Sequence, residues 1–360
     1  MSVEIISTLI FLVFIVAVLM IDLVLVGRKV HVISTQEALI WSIIWISMGI
    51  SFYFVLYYYG HLLHGIDSIG KLKEIAEKYN PYLIFKTSGF DEMLLEYKRS
   101  QAINYISGYF IEKTLSVDNI FVMLMILQGF SVPLKDYKKV LFWGILGAII
   151  LRFVFIFAGV VIIRKFEWVL LIFGAFLLFQ GIKMLFVKEK VAKDPKDSWL
   201  VKFLSNHINL HTSYFHDKFW FRDKGKLFFT PLFLVLIMIE FSDLVFAFDS
   251  IPAIFAVSRD PFIVFFSNIF AILGLRSLFF LVANLVNRFR FLKPGVAILL
   301  VFVGAKLLLH GKLKSWGFQP EYSLYFIGFV MVASVVLSVI FPNKEQSESG
   351  KIQKILNTKI

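Results

Sequence analysis

Three carboxylates interrupt the strongly apolar stretch IEFSDLVFAFDSIP, residues 239–252: Glu240, Asp243 and Asp249. A single charge at the centre of a membrane-spanning helix costs roughly 2.5–3.5 kcal/mol. Acids kept in such a stretch must therefore face the interior of a helix bundle, where they pair with bases, line water or bind an ion. A second stretch, FIEKTLSVDNIFV, repeats the pattern with two further acids.

Oxygen-bearing side chains accompany these acids. Carboxylate, amide and hydroxyl oxygens are the ligands of hard cations such as Mn²⁺, Mg²⁺ and Ca²⁺. The chain has no cysteine, and its seven histidines lie in predicted loops or at the ends of predicted spans. We therefore predict a site for a divalent cation in transit, without a prosthetic group, although the same acids could carry protons. The predicted ligands are Glu112, Asp118, Asn119, Glu240, Asp243, Asp249 and Ser250.

Helix geometry limits which of these acids share a face. Six residues rotate an ideal helix by about 240°, so Glu112 and Asp118 point in different directions. Either the helices open between their acids, or each acid serves a separate sub-site. Pro252 gives a cause for opening, because proline lacks an N–H group and frees a carbonyl one turn earlier. Glu240 and Asp243, three residues apart, do share a face.

Five basic residues also lie at membrane depth, beside six acids that include Asp22. Left unpaired, these eleven charges would cost on the order of 30 kcal/mol, more than the net stability of an ordinary fold. Structural ion pairs are one explanation. The concentration of acids beside hydroxyl and amide groups favours an ion site instead. The candidate pairing or coupling residues are Lys113, Arg152, Lys183, Arg276 and Lys306.

The elements that position these residues are membrane-spanning helices. Hydrophobic residues make up 59% of the 360 residues, and mean hydropathy is +0.80, which excludes a soluble globular domain. The first apolar run lacks a basic start and is too long for a signal-peptide core, so we expect it to be retained. We predict an all-α polytopic membrane protein with about nine spans, namely 5–26, 37–59, 102–127, 138–163, 168–187, 228–257, 261–286, 294–310 and 321–341.

Lysine and arginine predict the orientation. If the N-terminus is outside, inner segments hold 21 of the 37 and outer segments hold 11, as the positive-inside rule requires. The net charge of +12 then reflects topology and an anionic inner leaflet, not nucleic-acid binding. The predicted parts are two N-terminal helices, 1–60; an outer loop, 61–101; a first three-helix unit, 102–187; a basic inner loop, 188–227; a second three-helix unit, 228–310; a last helix, 311–341; and an inner tail, 342–360.

Two loops are long. The outer loop is predicted to hold a short amphipathic helix around Ile69–Tyr79, and it is a candidate docking site for a protein partner. His61 and His64 precede it and are interpreted as interfacial structural residues in preference to a weak cation site. The inner-loop histidines are interpreted as incidental residues of a solvated loop in preference to a metal sensor. They are His207, His211 and His216.

The two acidic stretches belong to an internal repeat. Each repeat unit contains three predicted spans, an odd number, so the second copy enters the membrane from the opposite side. Such inverted repeats typically form a transport site near the bilayer midplane. The alignment pairs Glu112 with Asp243, Asp118 with Asp249, Asn119 with Ser250, Arg152 with Arg276, and Lys183 with Lys306.

Several blocks between about residues 100 and 310 closely resemble the TerC/Alx family of integral membrane proteins. They include GYFIEKTLSVDNIFV, IFGAFLLFQGIKML and TPLFLVLIMIEFSDLVFAFDSIPAIFAVSRDPFIVFFSNIFAILGLR. The resemblance implies a bacterial cytoplasmic-membrane protein of metal homeostasis, associated with manganese export and historically with tellurium resistance. The family's acidic motif falls on the seven predicted ligands. The outer loop, about 66–99, is longer and more charged than the family leads us to expect.

The sequence therefore favours an exporter of a divalent cation, most of all Mn²⁺, with Ca²⁺ accepting the same oxygens. One alternative is a membrane scaffold or assembly factor that acts through its loops. Another is a proton-coupled exporter of small organic cations. An enzyme is not expected, because no nucleophile and base pair, phosphate-binding loop or cofactor fingerprint appears.

Overall fold

A computed structural model describes residues 34–80, 83–166, 168–186, 198–211, 218–223, 225–285, 291–309 and 320–341, with isolated residues outside these ranges. This part of the chain is mostly helical, as predicted. The α-helices are α1 (Thr35–Tyr59), α2 (Ile69–Tyr79), α3 (Phe90–Gly129), α4 (Leu134–Lys165), α5 (Val169–Phe186), α6 (Trp199–His207), α7 (Pro231–Phe255), α8 (Pro261–Ile272), α9 (Leu275–Leu285), α10 (Leu292–Leu308) and α11 (Pro320–Ile340). A 3₁₀-helix (Gly60–His64) and an antiparallel hairpin of β1 (Trp220–Asp223) and β2 (Lys226–Phe229) complete the regular structure of these residues.

The described helices define a multi-pass membrane protein. Five helical segments are long and apolar enough to cross a membrane, and the bent pair α8 and α9 makes a sixth. Helix α10 is apolar but shorter, and α3 carries the charged residues of the first acidic stretch. The first predicted span, 5–26, lies mostly outside the described residues. The count of nine spans therefore stays a prediction.

The predicted outer loop forms an ordered cap. Helix α2 has the predicted bounds, but α3 begins at Phe90 and continues unbroken for 40 residues, so the end of the predicted loop is helical. Asp91 and Glu92 in its first turn favour this start, because negative charge stabilises a helix N-terminus. We call the described residues between 60 and 101 the α2 cap. Its own apolar cluster comprises Ile66, Leu72, Ile75, Ala76, Tyr79, Met93 and Tyr97.

The acidic helices stay closed. Helix α3 is continuous across Glu112 and Asp118, and α7 continues through Pro252 to Phe255. The expected opening at Pro252 is therefore absent from this structure. Proline removes one backbone hydrogen bond, and only three residues follow Pro252 before α7 ends, so the loss is confined to the last turn. Of the two predicted alternatives, this geometry agrees with separate sub-sites.

The break in the second unit lies elsewhere. The predicted span 261–286 is divided into α8 and α9, which meet at an angle of 42°. Gly274 at the junction has a φ of +81°, a left-handed conformation that favours glycine. A Cβ atom there would also lie 2.5 Å from the Cβ of Trp45 in α1, so both the backbone angle and the packing require glycine.

Helix packing brings the two acidic stretches together. Helices α3 and α4 each pack against both α7 and α8, so the polar residues of the four helices face one another. Helices α5 and α10 pack at very short range: a Cβ at Gly304 would lie 2.7 Å from the carbonyl oxygen of Gly174. Small residues allow such close backbone approach in membranes, where packing and interhelical hydrogen bonds drive helix association.

Candidate functional site

Arg152 of α4 lies where α3, α7 and α8 meet, and its side chain is fully buried. Its Nη1 donates to the carboxylate of Glu112 and to the side-chain oxygen of Asn268, and it lies 3.5 Å from Ser250 Oγ. Its Nη2 donates to Asp243 Oδ1 over 3.3 Å. One guanidinium group thus joins an acid from each of the two acidic stretches, Glu112 and Asp243. We call these five residues, with Asn119, the Arg152 cluster.

The acids of the Arg152 cluster use only part of their hydrogen-bonding capacity. Glu112 Oε2 and Asp243 Oδ2 are buried and have no hydrogen-bond partner among the described atoms. Asn119 donates to Asp243 Oδ1 over 3.5 Å, and its own Oδ1 also has no described partner. Buried acceptors of this kind are costly unless a donor, a water molecule or a cation satisfies them.

Two further predicted ligands extend the acidic surface of α7. Glu240 lies one turn from Asp243, and its carboxylate rests on the α4 backbone at Gly147, where a Cβ would overlap it. Its Oε2 likewise has no described partner. Asp249 is half-buried and forms a hydrogen bond with Gln180 of α5. Glu240 thus faces the helix that carries Arg152.

The remaining predicted oxygen groups of α3 and α7 are placed differently. Asp118 belongs to α3, but its side chain lies outside the description. Thr114, Ser116 and Ser242 donate their hydroxyl protons to carbonyls of their own helices, a common arrangement for Ser and Thr within helices. These three hydroxyl groups therefore support the local backbone rather than donating to the acids.

The predicted bases occupy distinct environments. Lys113 is buried and donates over 3.1 Å to a backbone carbonyl in the last turn of α8, where positive charge is favourable. Lys306 is buried and donates to Ser323 over 3.0 Å, whereas its repeat partner Lys183 is exposed on α5. Arg276 is buried in α9. Arg152 is the base whose described contacts join two of the predicted acids.

Asn268 is the cluster member that is absent from the predicted ligands. It is fully buried, and it lies 116 positions from Arg152 in the sequence. Its Nδ2 donates to Val264 O over 3.1 Å, which turns its Oδ1 toward the guanidinium. An amide within the apolar run PFIVFFSNIFAI is the signal that could have identified it.

A second buried cluster ties the α2 cap to the bundle. Asp260 caps α8, because its Oδ1 accepts the Phe262 N–H over 2.9 Å. Its Oδ2 accepts from Gln101 over 2.9 Å and lies 2.8 Å from His64 Nε2. Gln101 also donates to the Tyr97 hydroxyl. We call these residues the Asp260 cluster, which accounts for His64 as a structural residue.

The environment of Asp260 stabilises its charged form. Burial alone would raise the pKa of this carboxyl group, but the contacts with His64, the Phe262 N–H and Gln101 outweigh burial and hold the pKa below its ordinary value. Asp260 was not among the predicted ligands. Aspartate directly before a proline and an apolar run is a helix-start signal, so its capping role, though not its distant partners, could have been predicted.

The described side chains contain no ready-made metal centre. Among them, no three from histidine, cysteine, aspartate and glutamate approach closely enough to hold a metal ion. In the inner loop, His207 bonds to its own helix over 2.7 Å and His211 packs against Phe221, while His216 lies outside the described residues. The acids of the Arg152 cluster surround a guanidinium group instead.

The fold and the buried clusters together define a multi-pass membrane protein with ionised residues between its helices. Residues 97–346 match the family described as "Integral membrane protein TerC family", and the chain belongs to this family. The family resemblance seen in the sequence motifs is therefore confirmed.

The chain is similar to named proteins over most of its length. It is 43% identical over 303 residues to "Putative membrane-bound redox modulator Alx" of Salmonella typhi, covering 83% of this chain and 84% of that protein. It is 41% identical over 300 residues to the protein of the same name from Escherichia coli K12, with the same coverage. An "Uncharacterized membrane protein" of Rickettsia felis is 39% identical over 338 residues, covering 94% of this chain and 98% of that protein. No solved structure matches the chain.

Proposed function

We propose that this protein is a membrane transporter that exports a divalent cation, most of all Mn²⁺, through the Arg152 cluster. The supporting observation is a group of buried acceptor oxygens that lack donors. Oxygens on Glu112, Asn119, Asp243 and Glu240 have no described hydrogen-bond partner. Inside a membrane bundle, a cation is the partner that satisfies several such oxygens at once.

The chemistry of the oxygens selects the class of cation. The Arg152 cluster and Glu240 offer carboxylate, amide and hydroxyl groups, which suit Mn²⁺, Mg²⁺ and Ca²⁺. Mg²⁺ loses its water shell reluctantly, which disfavours it for passage through a narrow bundle. Mn²⁺ and Ca²⁺ accept the same oxygens, and the resemblance to the family places Mn²⁺ first. Protons are the proposed coupling ions, carried by the same acids.

The packing supports an inverted repeat around this site. The alignment matches α3 with α7, α4 with the bent pair α8 and α9, and α5 with α10. Under that match the contact of α3 with α8 is equivalent to the contact of α7 with α4, and both occur. Side chains follow the same rule: Glu112 and Ser250 both approach Arg152 Nη1, and their counterparts Asp243 and Asn119 contact each other. A pseudo-twofold axis through the Arg152 cluster would explain both pairs.

The lysine and arginine bias supports an N-terminus outside and a C-terminus inside, and the resemblance to the family supports a bacterial cytoplasmic-membrane location. The α2 cap would then face outward. Ile69, Ile84 and Leu95 are exposed there, which favours the alternative of a scaffold that binds a protein partner. In that alternative the Arg152 cluster would only hold helices together.

The name of the Alx relatives suggests a redox role, which we consider for this protein. This chain has no cysteine, so it offers no thiol for disulfide chemistry. Export of a redox-active metal such as Mn²⁺ would connect the proposed transport with a redox effect, without a redox step in the protein itself.

The test is the Mn and Ca content of cells that lack their own exporter, measured by elemental mass spectrometry at matched membrane levels of each variant. The variants are Asp243→Asn, Asp118→Asn and Asp249→Asn. Asp91→Asn is the control, because Asp91 is an exposed acid at the start of α3. We expect wild type and control to lower cellular Mn and the three variants to leave it high.

The same cells separate the rival functions. Equal metal in all cells would contradict the export proposal. The scaffold would be favoured if a variant in which a short Gly/Ser linker replaces residues 69–96 lost its activity in cells while the acid variants kept theirs. Transport of an organic cation without any change in metal would favour the proton-coupled organic-cation exporter.

A further inference from the structure

We propose that Arg152 competes with the transported cation, so that its guanidinium group and the cation occupy the same oxygens in turn. The inference rests on the proposed function and gives Arg152 a defined part in it. In the described structure the guanidinium of Arg152 contacts these oxygens.

The seat of the guanidinium resembles a cation site in its chemistry. Four acceptor oxygens from three helices surround the two terminal nitrogens, and they belong to Glu112, Asp243, Ser250 and Asn268. These are two carboxylates, one hydroxyl and one amide carbonyl. The same mixture coordinates hard divalent cations in proteins. The guanidinium therefore satisfies oxygens that a metal ion would otherwise bind.

The contacts differ from those of a dedicated structural ion pair. Arginine and a carboxylate typically form two parallel hydrogen bonds, which use both oxygens. Here Glu112 and Asp243 each offer one oxygen to Arg152, and the second oxygen of each has no described partner. Arg152 Nε also has none. The contacts of Arg152 thus leave hydrogen-bonding atoms unused on both acids and on Arg152 itself.

Charge explains why the two occupants exclude each other. Glu112 and Asp243 carry two negative charges, and Arg152, which stays protonated, carries one positive charge. A divalent cation alone would balance the two acids. A divalent cation together with the guanidinium would leave an excess positive charge in a buried site, which is strongly unfavourable. Entry of the cation therefore requires Arg152 to leave.

Glu240 provides a second position for the displaced guanidinium. It lies one turn from Asp243, which contacts Arg152, and its carboxylate rests on α4 at Gly147. Its Oε2 has no described partner. After the cation is released, the returning guanidinium would bond to both Glu112 and Asp243 and reduce their combined charge from −2 to −1. Neither acid would then be unpaired during the return step of the empty transporter.

The test compares Mn²⁺ binding by purified full-length wild type, Arg152→Gln and Arg152→Lys in lipid nanodiscs, by titration of free Mn²⁺ with electron paramagnetic resonance. Removing a competing charge should tighten binding by roughly tenfold or more in Arg152→Gln, the scale expected for close charge pairs. Arg152→Lys keeps one charge on a shorter stem, so its affinity should fall between the two. Arg99→Gln is the control, because Arg99 is an exposed arginine of α3.

Transport in proteoliposomes gives the second readout. Arg152→Gln should bind Mn²⁺ tightly yet lose net export, because the empty site would carry unpaired acids. If Arg152→Gln fails to reach the membrane, the comparison of Arg152→Lys with wild type decides, and tighter binding is expected. If wild type transports Mn²⁺ but the tested variant binds Mn²⁺ with unchanged or weaker affinity, the proposed role of Arg152 is overturned and the proposed transport function is not. Absence of Mn²⁺ binding and transport in every protein would overturn the proposed function as well.

Discussion

The Arg152 cluster and the Asp260 cluster are both buried, and both contain aspartate, an amide and a basic group, yet they differ in how their carboxylate oxygens are satisfied. Both oxygens of Asp260 receive donors: the Phe262 N–H on one, and Gln101 and His64 on the other. In the Arg152 cluster, one oxygen of each acid has no described partner.

This difference separates a structural role from a transport role. A carboxylate with hydrogen-bond donors on both oxygens gains little from a cation, because binding would displace good hydrogen bonds. A buried carboxylate oxygen without a hydrogen-bond donor is energetically costly, and a passing cation can remove that cost by binding to it. Residue type alone would not distinguish the two aspartates, whereas their hydrogen-bond partners do.

The largest expected effect is on Mn²⁺ affinity. Asp243→Asn and Glu112→Gln each remove a charged ligand, so the affinity of purified protein should fall by more than the roughly 10–100-fold that loss of an outer-shell partner costs. Titration of free Mn²⁺ by electron paramagnetic resonance measures this. Asp260→Asn is the matched substitution, and its affinity should equal that of wild type. If all three variants lost Mn²⁺ affinity equally, the proposed difference in role between the two clusters would be contradicted.

The second expected effect is on stability. Asp260→Ala leaves three buried donors without their acceptor and should destabilise the protein by roughly 3–5 kcal/mol, the usual cost of removing one partner of a buried pair. Tryptophan fluorescence during thermal unfolding in detergent measures the loss. Asp260→Asn keeps the shape and one acceptor, so it should melt between wild type and the alanine variant. A melting temperature unaffected by alanine would show that the cap is not held by this cluster.

The third expected effect is the pH dependence of that stability. Since the pKa of folded Asp260 lies below its ordinary value of 3.8, the contribution of the charged group to stability is present above that value and is lost as pH falls through the lower folded pKa. The difference in melting temperature between wild type and Asp260→Asn should therefore persist from neutral pH to about pH 5. A difference that already shrank across this window would indicate a raised pKa instead.

The smallest expected effects come from one asparagine in each region. Asn80 donates to Ser100 over 2.7 Å within the α2 cap, so Asn80→Ala should cost about 1 kcal/mol of stability and leave Mn²⁺ affinity unchanged. Asn119 makes only a 3.5 Å contact with Asp243, so Asn119→Ala should lower affinity with little loss of stability. Thermal unfolding and Mn²⁺ titration of both variants test the pattern. Reduced Mn²⁺ affinity in Asn80→Ala, together with reduced stability and unchanged affinity in Asn119→Ala, would contradict the roles given to the two regions.

The sequence predicts local features well and distant partners poorly. The bounds of α2 follow from its amphipathic pattern, and the acids at positions 112 and 243 stand out because charge is rare in apolar spans. The partners of Asp260 lie 159 and 196 positions away, which no local pattern reveals. Pro252 indicated an opening that its place near the end of α7 makes unnecessary. Gly274 is a single glycine within an apolar run, so the sequence alone does not predict the break between α8 and α9.

The central claim is that the acids around Arg152 carry a divalent cation across the membrane. The most direct measurement is Mn²⁺ flux in proteoliposomes that contain purified wild type, Asp243→Asn or Asp260→Asn, followed with radioactive manganese at equal protein incorporation. Flux in wild type and Asp260→Asn, with none in Asp243→Asn, is the predicted result. Equal flux in all three proteins, or none in wild type, would contradict the account.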